Sequence, residues 1–86
     1  MLQYKEVVPT FTCEQWEGDN FVTFDQYFTS VSQYARELYI SEWRQAEKVW
    51  HDHKVAVGQW VVVNDISKKI EIVNDDEFRR RFELTD

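Results

Sequence analysis

Few side chains in this sequence are suited to chemistry, and each competes with a structural role. His51-Asp52-His53 holds the chain's only two histidines. On a strand, residues two apart share a face, so both imidazoles and one further carboxylate would have the donor types of a zinc site. In a turn or at a strand edge the same triplet is simply solvated, and no metal is expected. Cys13 is the only cysteine, which excludes an intramolecular disulfide and a cysteine-based zinc site. A nucleophilic thiol needs a nearby base or a positive field. Cys13 instead has Glu14 and Glu17 for neighbours, which raise a thiol pKa, so it reads as structural. Asp75/Asp76 and Glu17/Asp19 pair carboxylates, but acid–base catalysis uses an acid partly buried in a pocket. These acids stand where turns and helix starts need them. Arg79-Arg80-Arg81 could touch a phosphate or an acidic partner. In the last turn of a helix it complements the dipole and pairs with Asp75–Glu77. Two glycines cannot build a phosphate-cradling loop, and neither G-x-x-x-x-G-K-S/T nor G-x-G-x-x-G occurs. The chain reads as a non-enzyme that uses no cofactor.

Aromatic residues offer a different function. There are four Trp, four Tyr and six Phe among 86 residues, more rings than a core of this size hides. Trp43 and Trp50 lie close in sequence to Tyr39 and His51. Trp and Tyr are typical interface anchors, so segment 37–54 is the candidate partner-binding surface. Tyr39, Trp43 and Trp50 would anchor it. Glu42, Glu47 and Asp52 would serve as rim charges that tune association rate. The competing reading has both tryptophans completing the core.

Composition bounds the class of protein. A chain of 10.5 kDa makes one domain, here expected to span 1–86. No apolar run approaches the roughly 18 residues of a membrane span, and MLQYKEVVPTF lacks the features of a signal peptide. The expected location is the cytoplasm, with no membrane partner. Net charge is −6, the wrong sign for gripping phosphates, so no direct nucleic-acid partner is expected. The imbalance concentrates at the start: residues 1–35 hold five acids and one base. Such a surface stays soluble and can occupy the basic groove of a partner.

The elements that position these residues follow from patterning. VVPTFTCEQW at 7–16 reads as a strand that starts near Pro9 or runs along an edge there. EGDN at 17–20 is turn chemistry, with Gly18 free to take positive φ. Asn20 or Thr23 starts a helix; Thr23 and Gln26 fit a capping box, with Val22 and Tyr27 as the staple. Phe24, Phe28, Val31 and Tyr34/Ala35 recur at helical spacing, which predicts a helix over 24–35. ELYISEW at 37–43 alternates as a strand. Residues 48–56 suit a second strand after a turn at Gln45–Ala46, with a short helix at 42–50 as the alternative. QWVVVN at 59–64 is a central strand buried on both faces, and Gly58 permits a tight turn before it. Residues 65–68 form a hairpin loop and KIEIV at 69–73 a half-buried strand. Asn74 caps a final helix over 75–84, whose Phe78 and Phe82 form a stripe that docks on the sheet. The expected fold class is α+β in the order β-α-β-β-β-β-α. One antiparallel sheet of four or five strands would carry both helices on one face.

Three stretches together resemble a family of short phage and prophage proteins of unassigned function. That family reads V-x-A-x-Q-W-x-G-D-N near its start, P-G-D-W-I-V in the middle and V-x-x-D-x-F-x-x-x-Y/F-E at its end. Gln15, Trp16, Gly18, Asp19 and Asn20 match the first motif. Gly58, Trp60 and Val62 match the second, with Val57 in place of Pro and Gln59 in place of Asp. Asp76, Phe78, Phe82 and Glu83 match the third. The resemblance covers both ends of the chain and skips 36–54, and it implies a viral accessory protein without a catalytic residue. Two functions then compete. One is an acidic inhibitor of a host protein, such as a nucleic-acid-handling or antiviral-defence factor in the manner of an anti-CRISPR, acting in the host cytoplasm. The other is a virion assembly or structural protein working as a homo-oligomer.

Overall fold

The computed structural model describes residues 1–4 and 8–83. The expected strand start at Val7 and helix end at Leu84 lie outside these residues. The described elements run β1 (Phe11–Gln15), α1 (Phe21–Tyr27), β2 (Val31–Tyr34), β3 (Glu37–Arg44), β4 (Val49–Val55), β5 (Trp60–Asn64), β6 (Ile70–Val73) and α2 (Asp75–Arg81). The class is α+β with antiparallel pairing throughout, one helix after the first strand and one at the C-terminal end. The strands form two sheets of three, ordered β1-β5-β6 (sheet I) and β2-β3-β4 (sheet II), where one sheet of four or five strands was expected.

The difference begins in residues 24–35. The helix stops at Tyr27, and Val31–Tyr34 pairs with β3 from Val31↔Ile40 to Tyr34↔Glu37. That register leaves a two-residue loop, Ala35-Arg36, and Ala35 accepts a positive φ of 56°, as such loops demand. Thr29, Ser30 and Ser32 favour neither helix interior, and β-branched Val31 gains more by pairing. Of the two expected helix starts the structure takes Asn20 and not Thr23, so the helix begins at Phe21. Asn20 is the N-cap residue, but its side chain makes no cap bond. Its Oδ1 accepts from the Glu17 amide and its Nδ2 donates to the Gln15 carbonyl, which closes the turn backwards.

The core fills the space between the sheets. Trp16, Phe24, Leu38, Ile40, Val55, Val61, Val63 and Ile70 form one buried cluster. Strand alternation accounts for the membership. Val61 and Val63 from sheet I and Leu38, Ile40 and Val55 from sheet II occupy the inward rows. Val62 and Val73 are equally buried but belong to the opposite face of sheet I. α2 covers that face: Phe78 lies parallel to Trp60 with centroids 3.7 Å apart, and Phe82 meets Phe11 edge-on at 5.2 Å. The helices therefore do not share a face. α1 contributes Phe24 to the inner core, while α2 closes the outer side of sheet I.

α2 is held by stacking and charge. Asp75 accepts from Trp60 Nε1 at 2.8 Å and pairs with Arg79, and Arg81 reaches Glu71 at 2.9 Å. The Trp60 and Arg79 hydrogen bonds hold the Asp75 carboxyl below its usual range. None of its residues is fully buried. Phe78→Ala is accordingly expected to cost about 1.5–3 kcal/mol, less than the 3–5 kcal/mol typical of a fully buried ring. Chemical denaturation read by tryptophan fluorescence checks this, because the lost ring lies against Trp60.

Candidate functional site

β3 presents two unlike faces because adjacent side chains alternate across it. Leu38, Ile40 and Glu42 point into the core. Tyr39, Ser41 and Trp43 point out, opposite Lys54, Asp52 and Trp50 of β4. On the other flank, Ser32 lies opposite Tyr39 and Tyr34 opposite Glu37. The outer face of sheet II thus carries two tryptophans and two tyrosines. Trp43 is 45% exposed, Trp50 59% and Tyr34 78%. The indoles touch each other across the strands, with centroids 5.5 Å apart and planes tilted by 58°. Trp43 Nε1 donates to Gln45 Oε1 at 2.8 Å, which fixes the ring while leaving its surface open.

Four polar side chains in the middle of this face are already matched in pairs. Ser41 Oγ donates to Asp52 Oδ1 at 2.8 Å, and Tyr39 OH donates to Glu37 Oε2 at 2.7 Å. Lys54 Nζ stands 3.3 Å from the same Glu37 oxygen. The Tyr39 hydroxyl and then Lys54 hold the Glu37 carboxyl below its usual range, and Glu37 pushes the Tyr39 phenol up. The face is a preorganised aromatic strip between internally satisfied polar pairs. Such a surface suits burial against a protein, because few polar groups would be left unpaired.

Four of the six expected site residues, Tyr39, Trp43, Trp50 and Asp52, share this face. Glu42 does not. Being next to Trp43 on a strand, it points to the opposite side, where it is 9% exposed. Its Oε1 accepts from His53 Nε2 at 3.0 Å and Arg44 Nε at 3.1 Å, and its Oε2 accepts from the Ile70 amide at 3.0 Å. Burial alone would push this carboxyl up. The His53, Arg44 and Ile70 hydrogen bonds outweigh that and hold it below its usual value. Glu42 is a tie between the sheets, not a rim charge. Glu47 lies in the β3–β4 turn and pairs with His51 at 3.0 Å. His51 stands in register opposite Glu42, in the inward row, so Glu47 engages that side.

Tyr34 lay outside the expected surface segment, and Ser41, Glu37 and Lys54 lay within it without being singled out as members of the face. Tyr34 was hidden by its helical spacing from Val31. The other three sit at the right parity beside Tyr39 and Trp43, and parity was the available signal.

The histidines share a face of β4, but each has its own carboxylate: His53 has Glu42 and His51 has Glu47. Among the described residues, no group of three or more His, Cys, Asp or Glu side chains is placed to hold a metal ion. Cys13 is half-buried, and burial, followed by the Asp65 charge, pushes its thiol up. That is the reverse of what activates a nucleophile. Among the described residues, no helix is long and apolar enough to cross a membrane. No known protein family, curated protein or solved structure matches the chain.

Proposed function

We propose that this chain is a small acidic accessory protein of phage type that binds and inhibits a host protein, docking through the outer face of sheet II. One observation carries the reading: Trp43 and Trp50 form an exposed pair in mutual contact, on a face where Ser41, Asp52, Tyr39 and Glu37 are already hydrogen-bonded to one another in pairs. Large, rigid, partly exposed rings in such a setting are the usual hot spots of protein interfaces. The engaged histidines and the raised Cys13 thiol favour a binding role over catalysis. Net charge −6 favours a partner with a basic nucleic-acid groove, whose approach the acidic field would accelerate. Such a partner, for instance an antiviral nuclease, would be inhibited by occupation of that groove in the host cytoplasm.

Sheet II also supports a second reading, because an uncovered antiparallel face can meet its own copy. The chain would then act in virion assembly. Native mass spectrometry of the chain, alone and after mixing with host lysate, separates the two. A heteromeric complex of one chain with a host protein is expected, and a closed homo-oligomer unaffected by lysate would overturn the inhibitor reading. Trp43→Ala and Trp50→Ala are each expected to cost about 1 kcal/mol of stability, the scale of one exposed aromatic pair, while abolishing the heteromer. Thermal melts on the same samples check that the fold survives.

A further inference from the structure

A second surface lies on sheet I, apart from the aromatic face. We propose that the groove between β1 and α1 takes an extended segment of a partner protein, in which one branched apolar side chain is flanked by lysines or arginines. The proposal goes beyond the aromatic-face reading and stands or falls independently of it.

Three features converge there. The first is an open cavity of about 120 Å³. Its walls include Thr12 and Glu14 of β1, Phe24 and Tyr27 of α1, Phe28, and Val63 of β5. A cavity of about 150 Å³ lined by apolar side chains accommodates benzene, so this one matches a single leucine-sized group.

The second feature is a strand edge. Among the described residues, β1 pairs only with β5 within its sheet. Trp16 donates its amide to the Gln59 carbonyl, and the Asp65 amide donates to the Thr10 carbonyl. Even-numbered residues therefore bond towards β5, and antiparallel alternation turns the amides of Phe11, Cys13 and Gln15 to the other edge. The Gln15 carbonyl on that edge accepts from Asn20 Nδ2, which leaves the Phe11 and Cys13 carbonyls for an added strand. A peptide laid along this edge gains main-chain hydrogen bonds. Its alternate side chains would fall in the row of Thr12 and Glu14, the row that faces the cavity.

Charge is the third. Residues 8–35 contain Glu14, Glu17, Asp19 and Asp25 and no lysine or arginine. Glu14 lines the cavity, Asp25 follows Phe24 on α1, and Glu17 and Asp19 lie in the turn after β1. The guanidinium of Arg36 approaches this side at Gly18, within that turn. Of these carboxylates Glu14 lines the cavity itself, so an apolar side chain entering there meets a negative charge that selects a basic neighbour for it.

The test titrates the labelled full chain with the capped heptapeptide Thr-Lys-Thr-Leu-Thr-Lys-Thr, followed by amide chemical shifts. Its Lys-Leu-Lys row lies on one side of an extended chain, and the threonines lie on the other. Saturable shifts are expected at Phe11, Cys13 and Gln15. Replacing the peptide's leucine by serine, or its lysines by glutamates, should weaken binding about tenfold or more, the effect of one lost contact of ordinary strength. Glu14→Lys, at an exposed position, should weaken the lysine peptide about fivefold or more and reduce its salt dependence. Unchanged amide dispersion will show that this variant is folded. Absence of saturable shifts at about 2 mM peptide, where an affinity of about −4 kcal/mol would register, overturns the proposal. Equal binding of all three peptides also overturns it. So do shifts at these amides that depend on protein concentration without peptide, because a second copy would then occupy the edge.

Discussion

Trp16→Ala is expected to lower stability by about 3–5 kcal/mol, the range for a fully buried aromatic residue. Trp16 has no exposed surface and meets Phe24 edge-on at 5.8 Å. It also joins parts of the chain that are distant in sequence. Its indole Nε1 donates to the Arg36 carbonyl in the β2–β3 loop at 2.9 Å. Its backbone amide donates to Gln59, and its carbonyl accepts from Gly58. The backbone bonds survive truncation, but the Arg36 carbonyl loses its partner and a large void opens between the sheets. For a domain of this size each 1 kcal/mol moves the melting midpoint by roughly 4–8 °C. Near-ultraviolet circular dichroism should therefore show a midpoint lowered by about 12 °C or more. A fall of less than about 4 °C would mean that Trp16 does not connect the two sheets.

Glu42→Ala is expected to cost about 3–5 kcal/mol as well, because removing one partner strands the others in a buried setting. His53, Arg44 and the Ile70 amide all converge on this carboxylate, and the Ile70 bond links β3 to β6 of the other sheet. Glu42→Gln keeps the shape and an acceptor for Ile70 and should cost less. The pH dependence follows from the lowered carboxyl. Its folded value lies below its unfolded value, so its stabilisation is present at neutral pH and is lost as pH falls through the folded value. Urea unfolding from pH 7 down to about 3 should show a steep loss of stability in the wild type. Glu42→Gln should show a shallower one, with Asp65, Glu71 and Asp75 still contributing. Parallel curves for the two proteins would show that Glu42 is not the tie.

Where strands carry strict alternation or a continuous β-branched run, the sequence was legible. Residues 37–43, 59–64 and 69–73 form strands close to their expected bounds, and 48–56 adopts the strand reading over the helix at 42–50. Gly18 and Gly58 take the positive φ that their turns require, at 89° and 96°. The failure at 24–35 has a local cause. Phe24, Phe28 and Val31 satisfy helical spacing, yet Val31 equally satisfies an inward strand position. The Ala35-Arg36 loop carries no Asn-Gly or Gly signal to announce a hairpin. That missed strand is also why two sheets of three were read as one. In the candidate site, Trp43, Trp50, Tyr39 and Asp52 were legible because they share parity in a paired hairpin. Glu42 was not, because a buried carboxylate depends on partners that local pattern does not supply. His53 lies eleven residues on, and the Ile70 amide belongs to the other sheet.

The proposed docking face around the Trp43–Trp50 contact is expected to bind a host protein while the two-sheet frame stands without it. Affinity capture from host lysate with the wild-type chain and the Trp43→Ala/Trp50→Ala double variant in parallel tests it most directly, with quantitative mass spectrometry of what each retains. A stoichiometric host partner is expected on the wild type, reduced about a hundredfold or more on the double variant, as when a central hot spot worth about 3 kcal/mol or more is lost. The variant's melting midpoint should stay within about 10 °C of the wild type. Equal retention of that partner by both proteins, or loss of binding only because the variant is unfolded, would contradict the claim.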